Sequence, residues 1–166
     1  MSGNRTLVVG VEPQQSPTVV QAAAALAVRL GARLVCVHAD AGRVVVGEED
    51  GTEVTAPVDP DLEDTGPAAF PESLRERVEH ALAVEGAAGE AREVAGEPGD
   101  ALARVADLLD AEMIVVGTRR PGIRGAIGEF FEGSVAVHLS HRQHRPVLVV
   151  PQAPQVDGLL PWQEDR

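Results

Sequence analysis

Four short aliphatic runs that do not alternate with polar residues limit what this chain can fold into. They are Leu7–Val11, Arg33–His38, Met113–Val116 and Pro146–Val150. A strand with one wet face alternates between apolar and polar residues, whereas a strand covered on both faces need not. Such runs predict a parallel sheet held between two layers of helices. The first connection fits this architecture. Ser16 and Pro17 open a helix as N-cap and first helical residue, the helix runs to about Leu30, and Gly31 stops it. The chain up to His38 is therefore a β-α-β unit, whose crossover is right-handed and whose strands are parallel.

Ala41–Ala69 breaks the rhythm. It carries Pro57, Pro60 and Pro67 and has no sustained period, so it reads as a mobile insertion. Val44–Val46 has the composition of a short strand, and the sequence does not decide between strand and loop there. Pro71–Gly86 returns to helical spacing, with Leu74, Val78, Ala81 and Leu82 on one face. Glu90–Val94 alternates as an edge strand would. Gly96–Gly99 turns the chain, and Asp100 caps a helix with Leu102, Val105, Leu108 and Leu109 as its apolar stripe. Gly117 ends the Met113–Val116 strand, Ser134–Gln143 forms the last helix, and Pro146–Val150 the last strand. The expectation is one α/β domain over residues 1–151, a doubly wound, Rossmann-like, five-stranded parallel sheet of order 3-2-1-4-5 with helices on both faces, and a tail over 152–166. A ligand binds such a sheet outside the carboxyl ends of its strands, where the strand order reverses. Here the reversal lies between the first strand, followed by Glu12, and the fourth, followed by Gly117–Gly133.

Charge narrows the partners. The net charge is −12, which repels nucleic acid and anionic lipid. Its distribution is uneven: Gly47–Asp64 holds eight acidic residues and no basic one, while Gly117–Arg145 holds five arginines, three histidines and two glutamates. An acidic protein that gathers positive charge around one glycine-rich loop points to a small anionic ligand. No stretch approaches the ~20 apolar residues of a membrane span. The polar opening Met1–Thr6 and the single Cys36 fit a reducing, cytoplasmic setting. There is no lysine, which excludes Schiff-base chemistry. His138, His141 and His144 recur every third residue, and the first pair could share a helix face as metal ligands do. With no neighbouring carboxylate or cysteine in the sequence, they read as surface residues, and no metal is required for the fold. Cys36 reads as a core residue and Ser134 as a helix cap or phosphate ligand, and GxGxxG is absent. Nothing argues for an enzyme.

Residues 115–151 read VVGTRRPGIRGAIGEFFEGSVAVHLSHRQHRPVLVVP. With the opening LVVGVE, the VHAD that ends the second strand, the GEPGDAL turn and the terminal PVLVV, this chain resembles the universal stress protein family over most of its length. The resemblance implies a cytoplasmic dimer involved in stress response, of a family in which one branch binds ATP and another does not. Nucleotide-binding members carry Gly-x2-Gly-x9-Gly-Ser/Thr after the fourth strand. Glycines there let backbone N–H groups approach phosphate, and the Gly-Ser pair sets phosphate at a helix N-terminus. Gly133, Ser134 and Val135 match the motif's end. Counted from Gly117, the second glycine position is Arg120 and the following gap is three residues too long; counted from Gly122, Gly125 fits but the gap is two residues short. The family favours Asp after the first strand, where this chain has Glu12. Glu129 and Glu132 in the loop oppose phosphate, and Arg119, Arg120 and Arg124 favour it. The implied nucleotide contacts are Val11, Glu12, Ala39, Val116, Gly117, Gly122, Gly125, Gly133, Ser134 and Val135. The expectation is an ATP-type sensor or signalling module, with at most slow incidental hydrolysis, that dimerises through Pro146–Val150. The alternative is a nucleotide-free dimeric interaction module with an altered loop.

Overall fold

The computed structural model describes residues 5–50, 52–67, 69–118 and 135–152. At its centre is β1 (Thr6–Gly10), whose Leu7, Val8 and Val9 are fully buried. α1 (Pro17–Leu30) leads to β2 (Arg33–Asp40), which pairs with β1 in parallel. Ser16 caps α1 as expected, its Oγ accepting from the Thr18 N–H at 3.4 Å. Gly31 adopts φ 60°, the left-handed conformation that glycine takes without strain, and turns its N–H back onto the helix. A hairpin follows, of β3 (Arg43–Glu49) and β4 (Thr52–Pro57). The chain resumes with α2 (Glu72–Glu85), β5 (Gly89–Ala95), α3 (Pro98–Leu108), β6 (Met113–Gly117), α4 (Val135–Arg142) and β7 (Val147–Val150).

The main sheet is five-stranded and parallel, in the order β5-β2-β1-β6-β7. Numbered among the main strands alone, this is 3-2-1-4-5, as the sequence predicts. Because successive side chains on a strand face opposite ways, each face has its own core. Leu7, Val9, Leu34, Cys36 and Val115 meet α1 and α2 through Val19, Ala23, Leu74 and Val78. Val8, Val35, Val37, Ile114 and Val116 meet α3 and α4 through Leu102, Val105 and Leu139. The Pro146–Val150 and Glu90–Val94 runs lie on the two edges, where β7 and the partly polar β5 are found.

Two stretches of the chain differ from the sequence reading. α3 starts earlier than an Asp100 cap allows: Glu97 is the N-cap, its Oε2 accepting from the N–H groups of Gly99 and Asp100 at 2.9 and 3.2 Å. Pro98 suits the first helical position, so the turn-like Glu97-Pro98-Gly99 is the start of the helix. Leu108 faces solvent, leaving Leu102 and Val105 as the buried stripe.

The second difference is the hairpin in the acidic insertion, of which the sequence offered only Val44–Val46 as a strand candidate. It is anchored by Arg43, 8% exposed, which donates to Thr55 Oγ1 (3.0 Å), the Thr55 carbonyl (2.9 Å) and Asp64 (2.9 Å). Arg104 on α3 adds an ion pair to Glu53 at 2.7 Å. The hydrogen bond from Arg43, foremost, holds the Asp64 carboxyl below its ordinary range, and the Gly66 N–H adds to this. A lowered carboxyl stabilises the fold fully above its unfolded value, and the gain is lost as pH falls through the folded one. The anchor should therefore release only below about pH 3.8, the ordinary value for this group. Arg43→Met should leave the parallel sheet intact, change Tm by less than about 5 °C, and speed cleavage by a glutamate-specific protease within 47–67. Unchanged cleavage rates there would show that the hairpin does not depend on this arginine.

Candidate functional site

β1 and β6 lie side by side and parallel, with Val9 opposite Val115, and the strand order reverses between them. Beyond their carboxyl ends lie the β1–α1 loop on one side and Gly117-Thr118 on the other, the place where a doubly wound sheet offers a crevice. Val11 is buried, and its N–H reaches the Val37 carbonyl at 2.9 Å. Glu12 follows, exposed. The loop is pinned by side chains from several elements. Gln15 Nε2 donates to the Gly10 carbonyl at 3.1 Å, and the Arg77 guanidinium on α2 donates to the carbonyls of Glu12, Pro13 and Gln15.

Gln152, two residues beyond β7, joins the two sides. Its Oε1 accepts from the Ser16 N–H at 2.8 Å, its Nε2 donates to the Thr118 carbonyl at 2.5 Å, and its backbone N–H donates to Thr118 Oγ1 at 2.9 Å. This crossing needs a glycine at 117. A Cβ there would lie 2.6 Å from Gln152 Nε2 and 3.0 Å from a Val19 methyl.

Of the residues implied by sequence, Val11, Glu12, Val116 and Gly117 come together at this switch point. Ala39 is half-buried near the end of β2, on the far side of β1 from β6, and Val135 is the first residue of α4. Gly122, Gly125, Gly133 and Ser134 lie outside the described residues, as do Arg119, Arg120, Arg124, Glu129 and Glu132. Sequence reasoning missed Arg77 and Gln152. Arg77 sits among the charged positions of an amphipathic helix, and nothing in the spacing distinguishes it from a solvated arginine.

The histidines are corrected by space. His138 does have carboxylate neighbours, distant in sequence: its Nε2 lies 2.9 Å from Asp100 Oδ1 and 3.9 Å from Glu97 Oε2. The ligand atoms of Glu97, Asp100 and His138 fall within 4.8 Å of one another, the one such metal-capable grouping among the described residues. Glu97 already caps α3 and His138 already pairs with Asp100, so the groups satisfy one another. His141 and His144 are exposed. Gly99 permits the approach of α4, since a Cβ on it would meet the His138 ring at 2.6 Å. His38 on β2 lies 2.9 Å from both carboxylate oxygens of Glu93 and packs edge-on against Phe70. Burial pushes the Glu93 carboxyl above its ordinary range, and the hydrogen bond with His38 offsets only part of that. Cys36 is fully buried in β2, and burial pushes its thiol up to about 12, so it is a core residue, as expected. No helix among the described residues is long and apolar enough to cross a membrane.

Comparison with known proteins bears on this geometry. The model of the universal stress protein family matches residues 3–151. No curated protein sequence matches the chain. Among solved structures, a universal stress protein in complex with cAMP is 26% identical, with 92% of this chain and all of the other covered at a TM-score of 0.59. A universal stress protein from Archaeoglobus fulgidus in complex with dAMP is 22% identical, with 87% and 96% covered and a TM-score of 0.57. A family protein from Arabidopsis thaliana with AMP bound is 15% identical, with 98% and 99% covered and a TM-score of 0.55. The latter two likenesses speak to the fold. With the family match spanning nearly the whole chain and the sheet order agreeing, this chain belongs to the universal stress protein family.

Proposed function

We propose that this chain binds an adenine nucleotide in the crevice between the β1–α1 loop and the end of β6, and acts as a dimeric cytoplasmic sensor or signalling module with at most slow incidental hydrolysis. The observation that carries the reading is the β1–α1 loop, which holds an exposed carboxylate, Glu12, in a backbone pinned from several sides at the switch point of the sheet. The structure bound to cAMP, 26% identical, supports an adenine nucleotide as the ligand. In this reading Val11, Ala39 and Val116 flank the nucleoside, and Glu12 accepts hydrogen bonds from the sugar hydroxyls. Gly117, Gly122, Gly125, Gly133, Ser134 and Val135 supply the phosphate side, with Arg119, Arg120 or Arg124 adding charge and ATP the preferred ligand. Residues 1–151 form the functional domain, with 41–69 as an acidic insertion and 152–166 as a tail.

One observation favours the nucleotide-free interaction module. Gln152 already crosses between the two sides, and its close approach accounts for Gly117 without any phosphate. Calorimetry and thermal shifts with ATP, ADP and AMP separate the two readings. Nucleotide at a hundredfold excess over its dissociation constant should stabilise the protein by about 2.7 kcal/mol. Gly133→Val should abolish that gain while leaving the apo protein folded. Glu12→Ala should weaken nucleotide binding and spare inorganic polyphosphate. No heat and no shift at millimolar nucleotide would give the interaction module the field.

Dimerisation through β7 is part of the proposal. Leu148 and Val149 are 39% and 42% exposed on an edge strand, an apolar edge that pairing with a second copy would cover. Sedimentation should show a dimer at micromolar concentration, and Leu148→Arg should give monomer or aggregate. A wild-type protein that sediments as a monomer refutes this part.

A further inference from the structure

We infer that Arg77, on α2 and outside the crevice, is a positioning residue that sets where Glu12 meets a ligand. The inference rests on the nucleotide reading and deepens it. The loop from Val11 to Ser16 has fixed ends: the Val11 N–H is tied to β2, and the Ser16 N–H to Gln152. Between those ends lie Glu12, Pro13, Gln14 and Gln15. Pro13 has no N–H to offer a ladder, and the Gln15 N–H turns back on the Glu12 carbonyl at 3.1 Å. Among the described residues, no other backbone N–H reaches the carbonyls of Glu12, Pro13 or Gln15, and a side-chain donor that binds several of them holds the turn in one shape. Arg77 is that donor. Its Nη2 lies 3.2 Å from the Glu12 carbonyl and 3.1 Å from that of Gln15, and its Nη1 donates to Pro13.

The fork shape of guanidinium matters here. One rigid planar group with several N–H donors spans three carbonyls of one turn, those of Glu12, Pro13 and Gln15, which a single-point donor cannot do. The Arg77 Nε is buried with no acceptor among the described residues, and the hydrogen bonds that orient its head there are those to the loop carbonyls. The backbone of Glu12 is thus oriented by a helix 65 residues further along the chain. α2 is itself seated by Leu74 and Val78, both fully buried and flanking Arg77. The reach of the Glu12 carboxylate follows from this, because its longer side chain starts from a held Cα. A loop free to shift would spread that carboxylate over many positions, and ordering it would be charged against ligand affinity.

The test uses Arg77→Met, which keeps an aliphatic stem but removes every donor. The cleft lined by Pro17, Gln21, Glu76, His80 and Ala81 gives the new side chain room. Three readouts are taken on the intact chain: amide exchange at Gln15, AMP affinity, and affinity for inorganic triphosphate, which has no sugar for Glu12 to hold. The expected result is about tenfold faster exchange and about tenfold weaker AMP binding, with triphosphate unchanged, as for the loss of a charge-assisted hydrogen bond. Unchanged exchange or unchanged AMP affinity overturns the inference. Equal losses for AMP and triphosphate also overturn it, because Arg77 would then act through charge or global folding. Should Arg77→Met fail to fold, the same three measurements on Arg77→Gln, which cannot span three carbonyls, support or overturn the inference in the same way. A wild-type protein that binds none of ATP, ADP and AMP defeats the nucleotide reading, and the positioning role with it, before any variant is made.

Discussion

Parallel pairing is the constraint from which the rest of this molecule follows. Two parallel neighbours cannot be joined by a tight turn, so each connection must cross a face of the sheet, and each crossing here is a helix. Right-handed crossovers force α1 and α2 onto one face while the chain moves from β1 out to β5. They force α3 and α4 onto the other when it returns past the centre to β6 and β7. The change of direction leaves β1 and β6 adjacent, with connections leaving on opposite faces. That divergence opens the crevice. Helices on both faces of the sheet also account for the total burial of Leu7, Val8 and Val9.

What was legible in the sequence was whatever local chemistry decides. The buried strands appear as unbroken aliphatic runs, α1 is bracketed by Ser16, Pro17 and Gly31, and the polar β5 reads correctly as an edge. The sheet order follows from topology rules once the elements are counted. The hairpin was not legible, because its stability is not local. Its strands expose Val44, Val45, Val46 and Val54 at 38–60%, and its anchor is an arginine that looks like any surface residue until Thr55 and Asp64 fold over it. The Glu97 cap was missed for a different reason: Asp100 is the stronger capping residue by type, but Pro98 favours a start one turn earlier.

The candidate site divides along the same line. Glu12 and Gly117 are found by their offset from strands, which sequence carries. Arg77 and Gln152 act through contacts across 34 to 136 residues of chain, which no periodicity records. The pairing of His138 with Asp100, 38 residues away, is of the same kind. A candidate acid can thus sit in plain view in a sequence while the groups that hold its loop stay hidden, because side-chain hydrogen bonds to turn carbonyls demand only a donor at the right place.

The buried thiol of Cys36 has a use of its own. It is the chain's single cysteine, sealed beneath α1 and α2 and held protonated by its surroundings. A thiol-modifying reagent meets it only when β2 separates from the helices that cover it. The rate of its modification is therefore a clock for opening of the sheet itself. Because the thiolate is the reactive form, the folded protein contributes almost no background to that clock. Fraying of the hairpin or of the crevice loops leaves it untouched, so a single chemical measurement separates breathing at the periphery from loss of the core.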